Sequence, residues 1–211
     1  MILGGIGSVA YSDINRIINY NVVTGIGFIS FGIAAVSKAS MDGVVFYLIH
    51  DMIAKALLFL LGGMLIKAAG TSDLRQMGGL IKRYPLLGWM FFIVTLALVG
   101  VPPLSGFTGK LLIVQGGFAA GHYVWTGVAL ASSLLVLYSL MRIFMGAFLG
   151  EEQLATAKEP VHLREMISAA AVLFTLILVI GIGSEWVYSL VSQAGDVLVN
   201  PGIYIDAVLK E

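Results

Sequence analysis

Two stretches hold ionisable side chains where the surrounding residues are apolar. The first is Tyr47-Leu48-Ile49-His50-Asp51-Met52-Ile53-Ala54-Lys55-Ala56-Leu57-Leu58-Phe59. Asp51 and Lys55 are four apart with the acid on the N-terminal side, which puts both on one face of a helix. His50 lies five before Lys55, turned away by more than a quarter-turn. A carboxylate, an imidazole and an amine thus fall within about 7.5 Å of helix rise. Buried together, such groups tune one another's proton affinity, and histidine is the most easily moved across neutral pH. The alternative is a mutually neutralised pair that only fixes packing.

The second stretch is Gly106-Phe107-Thr108-Gly109-Lys110-Leu111-Leu112. Between Pro85 and Met141, Lys110 is the only Lys, Arg, Asp or Glu, and His122 the only histidine. It follows Gly100-Val101-Pro102-Pro103-Leu104-Ser105-Gly106, which cannot continue a regular helix because proline lacks a donor and glycine adds freedom. A lysine just after such a break predicts a discontinuous helix, tolerated at membrane depth where it lines a cavity. Snorkelling to the interface is the bland alternative. Intramembrane charge is expensive, roughly 2.5–3.5 kcal/mol for a central Lys or Asp, so it marks ion or proton routes.

The elements that carry these residues follow from composition. Of 211 residues, 59% are hydrophobic and 11% charged, against about 25% charged in soluble domains; the mean hydropathy is +0.97. Twelve basic and twelve acidic residues cancel, which gives no pull on nucleic acid. With no cysteine there is neither a disulfide framework nor a thiolate metal site. An all-α, polytopic transmembrane helix bundle is expected. Its spans, of roughly 20 apolar residues each, run over about 17–36, 43–69, 85–101, 104–120, 122–149 and 166–190. Residues 1–10 make only half a span, expected to be the tail of a helix whose start is absent. Residues 1–190 read as one transmembrane domain and 191–211 as a weakly amphipathic tail.

Other residues invite blander readings. His122 sits at a span end, Glu185 beside Trp186 and Tyr188 looks like an interfacial belt, and Arg142 anchors a helix end. His162 has no ligand partner nearby, so no metal site and no cofactor site is expected. Gly5-Ile6-Gly7-Ser8-Val9-Ala10 fits a dinucleotide fingerprint only formally, because no strand precedes it. Strict alternation of the six spans puts Arg16, Arg75, Lys82 and Arg83 on one side, and Lys38, Arg142, Lys158 and Arg164 on the other. That split is too even to orient the chain.

The run Tyr47 to Leu60 resembles the central helix of the antiporter-like subunits shared by respiratory complex I, membrane-bound hydrogenases and Mrp-type sodium/proton antiporters. Asp13-Ile14-Asn15-Arg16-Ile17-Ile18-Asn19-Tyr20-Asn21, Met77-Gly78-Gly79-Leu80 and Val101 to Lys110 agree in order. The His-Asp-Met-Ile-x-Lys form and the Tyr-Asn pair look most like the Mrp-type antiporter branch, over essentially the whole chain. The resemblance implies the C-terminal half of a protein of about fourteen helices, holding most of the second of two inverted repeats. It also implies a multi-pass location in a prokaryotic cell membrane, with membrane lipid and the other components of a multisubunit complex as partners and protons and sodium as cargo. In its terms Lys55 matches the central-helix lysine that passes protons along the midplane, and Lys110 the broken-helix lysine that exchanges them with one aqueous side. His50 and Asp51 occupy polar positions of the same axis, and all four are expected to form a proton relay in which a proton held at Lys55 passes through His50, water and polar helix surfaces to Lys110. Where many relatives carry lysine, Asn15 stands, which questions any part for that connection in proton entry. The family's first-half glutamate and lysine have no counterpart here. Rival readings are a proton-pumping component of a quinone- or ferredoxin-linked enzyme complex, and an inactive fragment.

Overall fold

The computed structural model describes residues 1–150, 164–200 and 202–209. Within them the chain forms α1 (Ile2–Ala10), α2 (Ile14–Ala34), α3 (Lys38–Ala69), α4 (Pro85–Val99), α5 (Ser105–Ala119), α6 (Tyr123–Phe148), α7 (Arg164–Ile182), α8 (Ser184–Val199) and α9 (Gly202–Leu209). Among the described residues, four stretches are long and apolar enough to cross a membrane: α2, α3, α6 and Glu165–Ile182 within α7. The helix starts are those their sequences specify. Asp13 accepts from the Arg16 amide, Ser37 from the Ser40 amide, and Pro85 opens α4 at the first helical position, where a missing N–H does no harm. Gly70, at φ 76°, closes α3 in the left-handed conformation.

All six expected segments are helical, and the discontinuous helix falls at the Pro-Pro break. At 15 residues each, α4 and α5 are about 22 Å long, short of a bilayer core of about 30 Å. Together they make one crossing. Opposite α3's C-terminal end, α4 begins beside the 70–84 connection, and α5 finishes with Gly116 packed on Ser37 and Ser40 at α3's beginning. The sidedness expected from strict alternation therefore changes. Helix α6 returns to the face of the 70–84 connection, where the Gly79 amide donates to the Leu149 carbonyl at 3.2 Å. Arg142 goes with it, donating from Nη1 to the Val9 carbonyl at 2.7 Å. It lies with Arg16 and Arg75, not with Lys38.

On that basic face the 11–13 and 70–73 connections are tied by crossed backbone bonds. The Ile14 amide donates to Ser72 O and the Leu74 amide to Ser12 O, each at 3.0 Å. Ser72 Oγ donates to Asp13 Oδ2 at 2.5 Å. The apolar core lies around the C-terminal half of α3, where Leu57, Leu58, Leu61, Met64 and Leu65 pack with Ile14, Ile17, Phe91, Ile143 and Phe148.

The last expected span, 166–190, is interrupted. Helix α7 stops at Ile182 and α8 starts at Ser184. The interruption sits on the α4–α5 break, with Gly181 so close to Pro103 O and Ser105 N that a β-carbon would lie within 3 Å of both. Beyond it α8 reaches α3's start. Lys38 Nζ bonds Asp42 Oδ1 at 2.9 Å and Asp196 Oδ1 at 2.7 Å, and Val191 is buried. Residues 191–199 are thus part of a packed helix.

Candidate functional site

Asp51 and Lys55 meet as their spacing requires, with Nζ 2.5 Å from Oδ2. Both are nearly enclosed, at 5% and 8% exposure, so the pair is desolvated and its geometry matters. Lys55 Nζ also donates to the Val22 carbonyl of α2 at 3.2 Å. The close approach of α2 depends on Gly25, where a β-carbon would meet Lys55 Nζ and fall 2.9 Å from Asp51 Oδ1. Asp51 Oδ1 itself has no hydrogen-bond partner among the described residues.

Lys110 is held by a different device. A helix end leaves its last carbonyls unsatisfied and carries the negative end of the dipole. At the end of α4, Gly100 (φ 91°) turns back so that its amide takes the Leu96 and Ala97 carbonyls. The Leu98 and Val99 carbonyls accept from Lys110 Nζ instead, at 2.8 and 3.0 Å. Ser133 Oγ of α6 is the third acceptor at 3.0 Å. The rings of Phe28 and Tyr47 face the ammonium with centroids 5.4 and 5.6 Å away, within cation–π range. Lys110 is 9% exposed, so it is buried in protein and not snorkelling.

The two lysines share a wall. A cavity of about 20 Å³ is lined by both, together with Asp51, Asn21, Thr24, Tyr47, Ser132 and Ser133. That is room for about one water, with polar partners around it. Lys110, with Phe28 and Ser133, also borders a more open cleft of about 160 Å³ whose other walls are mainly apolar, among them Val99, Phe107, Leu111, Val114 and Leu130.

His50 stands apart. Fully buried, it pairs through Nδ1 with Ser105 Oγ at 2.7 Å, at the first turn of α5. Its Nε2 has no hydrogen-bond partner among the described residues and lies against Gly106. The imidazole is not among the groups that line the cavity, so the structure brings together Lys55, Asp51 and Lys110 and sets His50 beside the helix break.

The remaining residues divide. His122 precedes α6 as an exposed residue. Glu185 is not at a span end: it lies in the first turn of α8 and lines an open cleft with Thr108 and Leu112. Asn15 is exposed, and Arg16 covers the Tyr11 ring at 4.9 Å. His162 falls outside the described residues, as does Lys158, whose side therefore stays an expectation. Sequence reasoning does not single out Thr24, Gly25, Phe28 or Ser133, and it takes Asn21 only as part of a family motif. The only signals for them are Asn21 and Thr24 three apart on one face and a Ser-Ser pair inside an apolar run.

These features define a class of protein. The family model for NADH:quinone oxidoreductase/Mrp antiporter transmembrane proteins matches residues 1–137, and the chain belongs to that family. It is 51% identical over all 211 residues to the D subunit of the Na(+)/H(+) antiporter of Bacillus subtilis, and 36% identical to the D subunit of the Alkalihalophilus pseudofirmus antiporter. The chain spans 43% of the length of each. Its structure is similar to a chain of the Mrp complex from Dietzia, with a TM-score of 0.88, 28% identity and coverage of 99% of this chain and 47% of that one. A chain of respiratory complex I from Thermus thermophilus has the same fold, with a TM-score of 0.80 at 23% identity, covering 94% of this chain and 42% of that one.

Proposed function

We propose that this chain carries a proton half-pathway of a multisubunit sodium/proton antiporter in a prokaryotic cell membrane. The observation that carries the reading is a small cavity with Lys55 and Lys110 on its walls and a larger cleft that also borders Lys110. A proton held at the Lys55–Asp51 pair passes through this cavity to Lys110 and leaves by the cleft. His50, bonded to Ser105, holds the start of α5 in register, so that Lys110 stays over the carbonyls of α4. The 51% identity to a component of a sodium/proton antiporter favours exchange of cations over redox-driven pumping.

The basic residues give a direction. Arg16, Lys67, Arg75, Lys82, Arg83 and Arg142 gather at one face and Lys38 at the other, which by the positive-inside rule puts the first face in the cytoplasm. Helix α5, which carries Lys110, then runs from the break toward the outer face, where Gly116 packs on Ser37 and Ser40.

Lys→Ala at position 55 or 110, assayed as sodium/proton exchange in everted vesicles with the complex complete, abolishes exchange on this reading. Normal exchange in either variant sinks it.

A further inference from the structure

We infer that Ser133 is the group through which Lys110 releases and regains its proton. This rests on reading Lys110 as a proton carrier and adds the atom that takes the proton from it. An ammonium has three donors and no acceptor, and all three are engaged: by Leu98 O, Val99 O and Ser133 Oγ at 2.8, 3.0 and 3.0 Å. The Phe28 and Tyr47 rings face the same nitrogen. Amide carbonyls accept hydrogen bonds but are very weak bases, so two of the three contacts are dead ends for a proton.

The hydroxyl is not, because it both accepts and donates. Ser133 lines both the small cavity shared with Lys55 and the larger cleft. Its own hydrogen is loosely held, since the Ala129 carbonyl is 3.5 Å away and already accepts from Ser132 Oγ at 2.7 Å. It can therefore turn toward water on either side.

The step balances. The Nζ–H bond to Ser133 breaks as a new Oγ–H bond forms. The serine's former O–H breaks as its proton joins a water in the cavity or cleft. Lysine ends neutral and serine unchanged.

The test is sodium/proton exchange by vesicles carrying the whole complex, with assembly checked by native gel. S133A lowers the initial rate at least tenfold, while S133T stays within about twofold of wild type. S133G lies between them, because removing the whole side chain leaves room for a water to take the hydroxyl's place. A role in packing alone would make glycine the worst of the three. S133A within twofold of wild type, or S133G no faster than S133A, overturns the proposal. K110A is run alongside: if it also exchanges normally, the proton-carrier reading itself has failed, whereas loss of exchange in K110A with normal S133A refutes only the role of Ser133.

Discussion

Lys55 and Lys110 solve the same problem with different partners. Lys55 is matched by a carboxylate four residues back, while Lys110 lies over backbone carbonyls and between aromatic rings. The first device depends on how closely α2 can approach, and Gly25 sets that distance. Gly25→Ala would drive a methyl group into Lys55 Nζ and toward Asp51. Overpacking of this kind costs about 1–3 kcal/mol. The expected result is a severalfold fall in exchange rate with the complex still assembled, measured in vesicles. An unchanged rate would mean that the pair relaxes without consequence.

Among the elements, the two connections on the basic face act as one clamp. Asp13 caps α2, and Ser72 donates to its free oxygen. That hydrogen bond is the main cause holding the Asp13 carboxyl below its ordinary value, with the Arg16 amide assisting, although partial burial works the other way. Because the folded-state value is depressed, the stabilisation is complete above the unfolded value of about 3.9 and fades as pH falls through the native one. Asp13→Ala should cost about 1 kcal/mol at neutral pH, the usual worth of an N-cap. In detergent melts its deficit against wild type should shrink below about pH 4. A deficit constant across that range would show that the carboxylate charge contributes nothing. The α4–α5 break and the α7–α8 interruption pack on each other at the same depth, so the helix that carries Lys110 is fixed by a second break as well as by its own.

For the molecule as a whole, pairing α4 with α5 in one crossing decides the sidedness. Counted as two crossings, they would send Arg142 to the face of Lys38. Counted as one, they put Arg142 on the face of Arg16 and Arg75 and leave Lys38 on the other. Single cysteines in a cysteine-free complex test this. A cysteine replacing Ser37 should react with an impermeant maleimide added to right-side-out vesicles, and one replacing Arg75 only after the vesicles are opened. The reverse pattern would overturn the orientation.

The amino-acid sequence by itself determined the helices, the break and the ionisable residues kept in the membrane. Each of these is local: hydropathy over about 20 residues, the missing N–H of proline, and the i, i+4 spacing of Asp51 and Lys55. It also carried the family resemblance, since the motifs are contiguous strings. Only the tertiary structure decided what meets what. The acceptors of Lys110 are carbonyls, which every residue has and no residue type announces. Ser133 comes from another helix 23 residues away. His50 and Asp51 are neighbours in the chain, yet their side chains point to different partners, Ser105 and Lys55. The division of the last span from its tail is not legible in the sequence, because Gly183 interrupts an apolar run without a proline to mark it. Packing of Gly181 on the Pro103–Ser105 backbone sets the place. Contacts between distant segments depend on how helices pack, and that is a property of the folded whole.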